Sequence, residues 1–267
     1  MALNELQKKN AAIIKAEAEK EGLKNKFVQD AILGIAYKES GLNPAASEVS
    51  YAGTKNARIR EIFPTKTGKM SDAELDALKK DKEKFFNHVY AGIIGNGPGD
   101  GWRLRGRGFN QITGLDNYKA IKDSTGKDVV ADPDLLSDPH IAAEAAIDYF
   151  KKGLEKGIKL GKFGPDIKSV NDFKDMKSAY NAVYHVNAGL GKQLYDKGGN
   201  IINDRTGGYK KGLDALAFFR GAIDFGTAVA KEQVKESVEA VKNNPKTTAA
   251  IVIMLASGIF LIIKGIS

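Results

Sequence analysis

The sequence predicts a mainly α-helical protein, and three observations carry that expectation. Apolar residues recur at helical spacing, as in Ile32, Ile35 and Ala36 and again in Ile141, Ala142, Ala145 and Tyr149. Alternating, strand-like stretches are scarce. The helical stretches are separated by glycine-rich loops, Gly92 to Gly101 (GIIGNGPGDG) and Gly189 to Gly208, which read as too flexible for regular structure. The 267 residues allow one large domain or two small ones, and a composition of 42% hydrophobic and 28% charged residues suits a chain that folds mostly in water. A formal charge of +8 favours polyanions in general, whether nucleic acid, anionic lipid or an anionic cell wall. The absence of cysteine excludes disulfides, thiolate metal sites and a cysteine nucleophile.

Taken in order, the N-terminal stretch MALNELQKKNAAIIKAEAEKEG is charged within its first turns and lacks the apolar run of a cleavable secretory signal. The next helix, Asp30 to Ser40 (DAILGIAYKES), places Ile32, Ile35, Ala36 and Glu39 at i, i+3, i+4 and i+7, so Glu39 ends an apolar stripe. A carboxyl group there is partly desolvated, which suits a general acid. The plainer alternative is a glutamate paired with Lys38 or with nearby backbone. Nine residues on, Glu48 lies in the loop GLNPAASEVSY. Inverting glycoside hydrolysis uses a proton donor and a base set roughly 6.5–9.5 Å apart, with a water between them. A helix end and the following loop can carry such a pair, although a loop glutamate is more often simply solvated.

The segment Gly101 to Tyr118 reads GWRLRGRGFNQITGLDNY. Arg103, Arg105 and Arg107 beside the single tryptophan fit nucleic acid, while Asn110, Gln111, Thr113 and Asn117 fit sugar hydroxyl and acetamido groups equally well. His88, His140 and His185 have no metal-ligand spacing. From Thr227 to Asn243, Val234, Val238 and Val241 share one side of a helix, and Pro245 ends it. Thr247 to Ile263 (TTAAIVIMLASGIFLII) then runs uncharged for seventeen residues, at the short edge of the roughly 17–25 that cross a bilayer.

Together these motifs resemble glycoside hydrolase family 19, in particular the chitinase-like endolysins of bacteriophages. The likeness rests on AYKESG around Glu39, SEVSYAGTKNARIREIFP, GDGWRLRGRGFNQITGLDNY, DPDLLSDPHIAAEAAIDYF and HVNAGLG, which occur in family order over roughly residues 25 to 220. The resemblance implies a lysozyme-like helical fold with a substrate cleft. It also implies inverting cleavage of β-1,4 linkages between N-acetylated aminosugars, with bacterial peptidoglycan as substrate and no cofactor or metal. By the same likeness Glu39 is the general acid and Glu48 the base. Ser50 helps to hold the attacking water. Arg105, Gln111, Thr113, Asn117, Tyr118 and Asn187 bind substrate. Arg105 and Arg107 serve equally well as organisers of the cleft loop.

The expected organisation is a glycosidase domain over 1–226, an amphipathic helical linker over 227–246 and a membrane anchor over 247–263. Such an enzyme would sit in a lipid bilayer, in a phage particle or the host membrane, in company with other virion proteins and without nucleic acid. Two rival readings stay open. A lytic transglycosylase also uses a single glutamate acid. A catalytically degenerate wall-binding protein would account for three departures from the family pattern: Lys38 where histidine is common, Ala188 where the family has a glycine, and a Glu48 loop one residue shorter.

Overall fold

In a computed structural model, residues 3–46, 50–190, 210, 216, 253–254 and 260–261 are described. The chain divides into two compact units, Glu39–Tyr149 and Met1–Lys38 with Phe150–Ser267. Both draw on the stretch expected to form one domain over 1–226. The linker expected at 227–246 lies outside the described residues, as does most of 247–263. The described pieces of that last stretch, Ile253–Met254 and Phe260–Leu261, pair as short antiparallel strands β1 and β2. Among the described residues, no helix is long and apolar enough to cross a membrane.

Helices dominate, as expected. In the unit with both termini, α1 (Glu5–Lys20) opens on a capping box. Gln7 N–H donates to the Asn4 side chain at 2.8 Å, and Asn4 N–H to the Gln7 side chain at 3.0 Å. Its apolar face buries Ala11, Ile14 and Ala18. The next helix, α2 (Lys26–Ser40), starts at Asn25, whose side chain accepts from Phe27 N–H at 2.9 Å. Asn25 is itself pinned by Asn171, whose carbonyl takes its amide at 3.0 Å. The stripe expected on α2 is in fact a full cylinder, because every residue from Ala31 to Ala36 is buried. Gly34 belongs to that packing, since a Cβ there would stand 3.1 Å from the Leu216 side chain.

The longest helix among the described residues, α9 (Pro139–Lys159), starts on Asp138, whose carboxylate accepts from His140 and Ile141 N–H at 2.8 and 3.0 Å. Its small residues set how closely others approach: a Cβ on Gly153 would lie 2.3 Å from Val186 of α10 (Met176–Ala188). Asp175 caps α10 through Ser178 N–H at 2.8 Å.

The unit Glu39–Tyr149 holds short helices around two apolar clusters. They are α3 (Asn56–Ile62), α4 (Pro64–Thr67), α5 (Asp72–Leu78), α6 (Lys82–Tyr90), α7 (Asp100–Arg103) and α8 (Leu115–Thr125), followed by a 3₁₀ turn at Pro133–Ser137. One cluster is aromatic: Phe85, Phe86 and Val89 of α6 bury with Ile59 and Leu75 beneath Tyr51, Phe63, Tyr90 and Trp102. The other joins Leu104, Ile112, Tyr118, Ile121, Val129, Leu136 and Ala145.

The glycine-rich stretch from Gly92 departs from its expected flexibility. Gly92, Gly95 and Gly99 take left-handed φ of 66°, 73° and 82°, so glycine here permits a fixed backbone. Ile94 O and the Asn96 side chain accept the first free N–H groups of α8, from Asp116 at 3.0 Å and Leu115 at 2.8 Å. The loop is thus the N-terminal cap of α8, whose own Gly114 has no side chain to offer. The stretch also ends in helix, since α7 begins at Asp100.

Candidate active site

Glu39 occupies the last turn of α2 and is half-buried. It stands where a rigid helix, packed on all sides one turn earlier, releases the chain into a loop. Next to it, Ser40 Oγ donates to Phe109 O at 3.0 Å, so the helix end is tied to the loop from Arg107 to Ile112. That loop is closed by a reciprocal backbone pair, with Ile112 N–H to Arg107 O at 2.8 Å and Arg107 N–H to Ile112 O at 3.2 Å. Tyr149 of α9 lies within electrostatic reach of Glu39. Its phenol is pushed above the ordinary tyrosine value, first by burial and then by the Glu39 charge. Lys38, the partner offered by the plainer reading of Glu39, places its ammonium 5.9 Å from the centre of the Tyr184 ring.

Glu48 lies outside the described residues, but both flanks of its segment are held. On one side, Gln111 Nε2 donates to Ala46 O at 3.1 Å and to Gly108 O at 3.1 Å. On the other, the Tyr51 ring enters the aromatic cluster, stacked 5.0 Å from Phe85 and edge-on to Phe63 at 5.5 Å. Ser50 is exposed, and its Oγ accepts Ala52 N–H at 3.2 Å.

The arginines divide. Arg107 is only 9% exposed and bound on every side. It meets Asp134 at 2.9 Å and donates to Arg103 O at 2.7 Å, with the Tyr118 hydroxyl 3.4 Å away. This is the organising role allowed for by the sequence. Arg105 sets its guanidinium carbon over Trp102, 3.8 Å from the ring centre, and donates to Trp102 O at 2.9 Å. Trp102 in turn stacks on Phe86 at 5.9 Å, so the tryptophan that suggested base stacking is a wall of the aromatic cluster.

The polar residues of the same motif are largely engaged with backbone. Thr113 Oγ1 donates to Gln111 O at 3.0 Å, and Asn117 Nδ2 to Thr113 O at 2.8 Å. Tyr118 is fully buried and donates to Arg105 O at 2.9 Å; burial raises its phenol, with Arg107 opposing. In this structure Tyr118 therefore braces the loop from beneath and offers no surface to a ligand. Asn187, half-buried in α10, belongs to the other unit.

The structure thus gathers Glu39, Arg105, Arg107, Gln111, Thr113, Asn117 and Tyr118 into one unit, together with Ser40 and Tyr149. Sequence reasoning missed those last two, and also Asn96. Tyr149 had a signal, its place in the α9 periodicity. Ser40 and Asn96 had none, because their partners are distant in sequence.

No family model matches the chain. A protein of Haemophilus influenzae described as a glycosyl hydrolase family 19 domain-containing protein is 34% identical over 146 residues, covering 52% of this chain and 68% of the relative. With a glutamate at the end of a packed helix, a braced polar loop beside it and a relative of which it covers two thirds, the chain belongs to glycosyl hydrolase family 19.

Proposed function

We propose that this protein hydrolyses β-1,4 linkages between N-acetylated aminosugars of bacterial peptidoglycan, with inversion at the anomeric carbon. Glu39 donates its proton to the glycosidic oxygen as the bond to the anomeric carbon breaks. Glu48 takes a proton from a water held with the help of Ser50, and the resulting hydroxide equivalent bonds to the opposite face of that carbon. Water is the only co-reactant. The observation that carries this reading is the pair of ties at the end of α2. Ser40 binds the loop at Phe109 and Gln111 binds Ala46, so the same loop steadies the segments leading to both carboxylates.

A lysozyme-like cleft and a bacteriophage origin are the finer form of the proposal, supported by the ordered motifs, and carriage in a virion is supported by the apolar run near the C-terminus. Membrane anchoring is supported by the uncharged run over 247–263. Mass spectrometry of the products released from purified sacculi tests the chemistry. Hydrolysis predicts fragments carrying the mass of an added water. Anhydro ends would instead assign a lytic transglycosylase, and binding without release would assign a wall-binding protein.

A further inference from the structure

Asn110 stands apart from its neighbours in the Gly101 to Tyr118 motif. The donors of Gln111, Thr113 and Asn117 are committed to backbone carbonyls, and Tyr118 is fully buried. Asn110 is only 8% exposed, yet its side-chain oxygen has no hydrogen-bond partner among the described residues. A buried amide oxygen left in that state destabilises the fold, so a loop built only for stability would place an apolar residue here. The backbone beside it is also strained, since Gln111 adopts a left-handed φ of 51°. Both departures fall at the apex of the loop. Phe109, on one side, holds Ser40 beside Glu39; Gln111, on the other, holds Ala46 two residues before Glu48. Local violations of stability rules concentrate where function requires them.

We propose that Asn110 is a specificity-determining residue, its amide completing its hydrogen bonding with the acetamido group of a sugar bound beside Glu39. The chemistry is complementary, because a primary amide both accepts from an acetamido N–H and donates to an acetamido carbonyl. That oxygen is shut off from solvent as it stands, so a sugar reaches it through a half-turn about the soft terminal torsion of asparagine, which exchanges oxygen and nitrogen. This assignment rests on the substrate class proposed above.

The test measures binding in a Glu39→Gln background, where turnover does not interfere. The probes are an oligomer of N-acetylglucosamine and its de-N-acetylated counterpart. Asn110→Leu removes the amide while keeping a similar volume, and Asn110→Ala is the second variant if leucine disturbs folding. The expected result is about 10-fold or greater weakening for the acetylated oligomer, unchanged binding of the de-N-acetylated one, and a thermal midpoint for Asn110→Leu at or above that of the parent. Unchanged affinity for the acetylated oligomer would overturn the proposal. So would equal weakening for both oligomers, or a lowered midpoint with proportional loss of binding, each of which would mark Asn110 as structural. Failure of the underlying substrate reading looks different: the Glu39→Gln parent would bind neither oligomer.

Discussion

Gln111 links two structural facts, a left-handed backbone and an amide that reaches across to Ala46 O. Removing the amide with Gln111→Ala leaves the backbone strain and releases the chain that leads to Glu48. The expected outcome is a stability loss of about 1 kcal/mol and a fall in kcat much larger than that loss, read by denaturant unfolding and by reducing-end assays. Equal kcat in the variant would show that the tie to Ala46 does not position the base. At Glu48, the substitution Glu48→Gln should lower kcat on the order of 100-fold, and near-full activity would place the base elsewhere. Glu39 was legible because it combines an apolar helical spacing with a motif order. The roles of Gln111, Thr113 and Asn117 were legible only as polarity. Sequence gives the inventory of donors, whereas which carbonyls they meet depends on loops separated by up to 65 residues.

The elements were legible in kind and less so in their ends. Helical periodicity identified α2 and α9, but burial right around α2 from Ala31 to Ala36 could not be read from a one-sided pattern. The stretch from Gly92 to Gly101 was misread as flexible because glycine signals both freedom and a left-handed turn, and only the partners decide between them. Here the partners are the open N–H groups of α8. Asn96 is 5% exposed and its side chain makes two hydrogen bonds, accepting Leu115 N–H of α8 and donating to Tyr90 O of α6 at 3.1 Å. Asn96→Ala should therefore cost about 1–2 kcal/mol, seen as a lower midpoint in urea. Within α7, Gly101 marks a close helix approach: a Cβ there would lie 2.3 Å from Phe86 O of α6. Gly101→Ala should force the two helices apart at a cost of about 1–3 kcal/mol. A Gly101→Ala protein as stable as the parent would contradict that packing.

Across the whole chain, carboxylates held below their ordinary values are widespread. Backbone N–H groups at Lys84, Lys168 and Ser178 lower Asp81, Asp172 and Asp175, while the Lys122 ammonium does the same for Asp128. A carboxylate with a depressed folded-state value stabilises the fold above its unfolded value, and that stabilisation is lost as pH falls through the folded one. The thermal midpoint should accordingly stay level down to about pH 5 and decline below about pH 4; a midpoint unchanged at pH 3 would contradict these bonds.

The central claim is that Glu39 is the proton donor, and the initial rate of reducing-end release from N-acetylated glycan by Glu39→Gln against the parent protein tests it most directly. A correctly folded variant slowed at least about 100-fold is the predicted result, and a rate within a few-fold of the parent would contradict it.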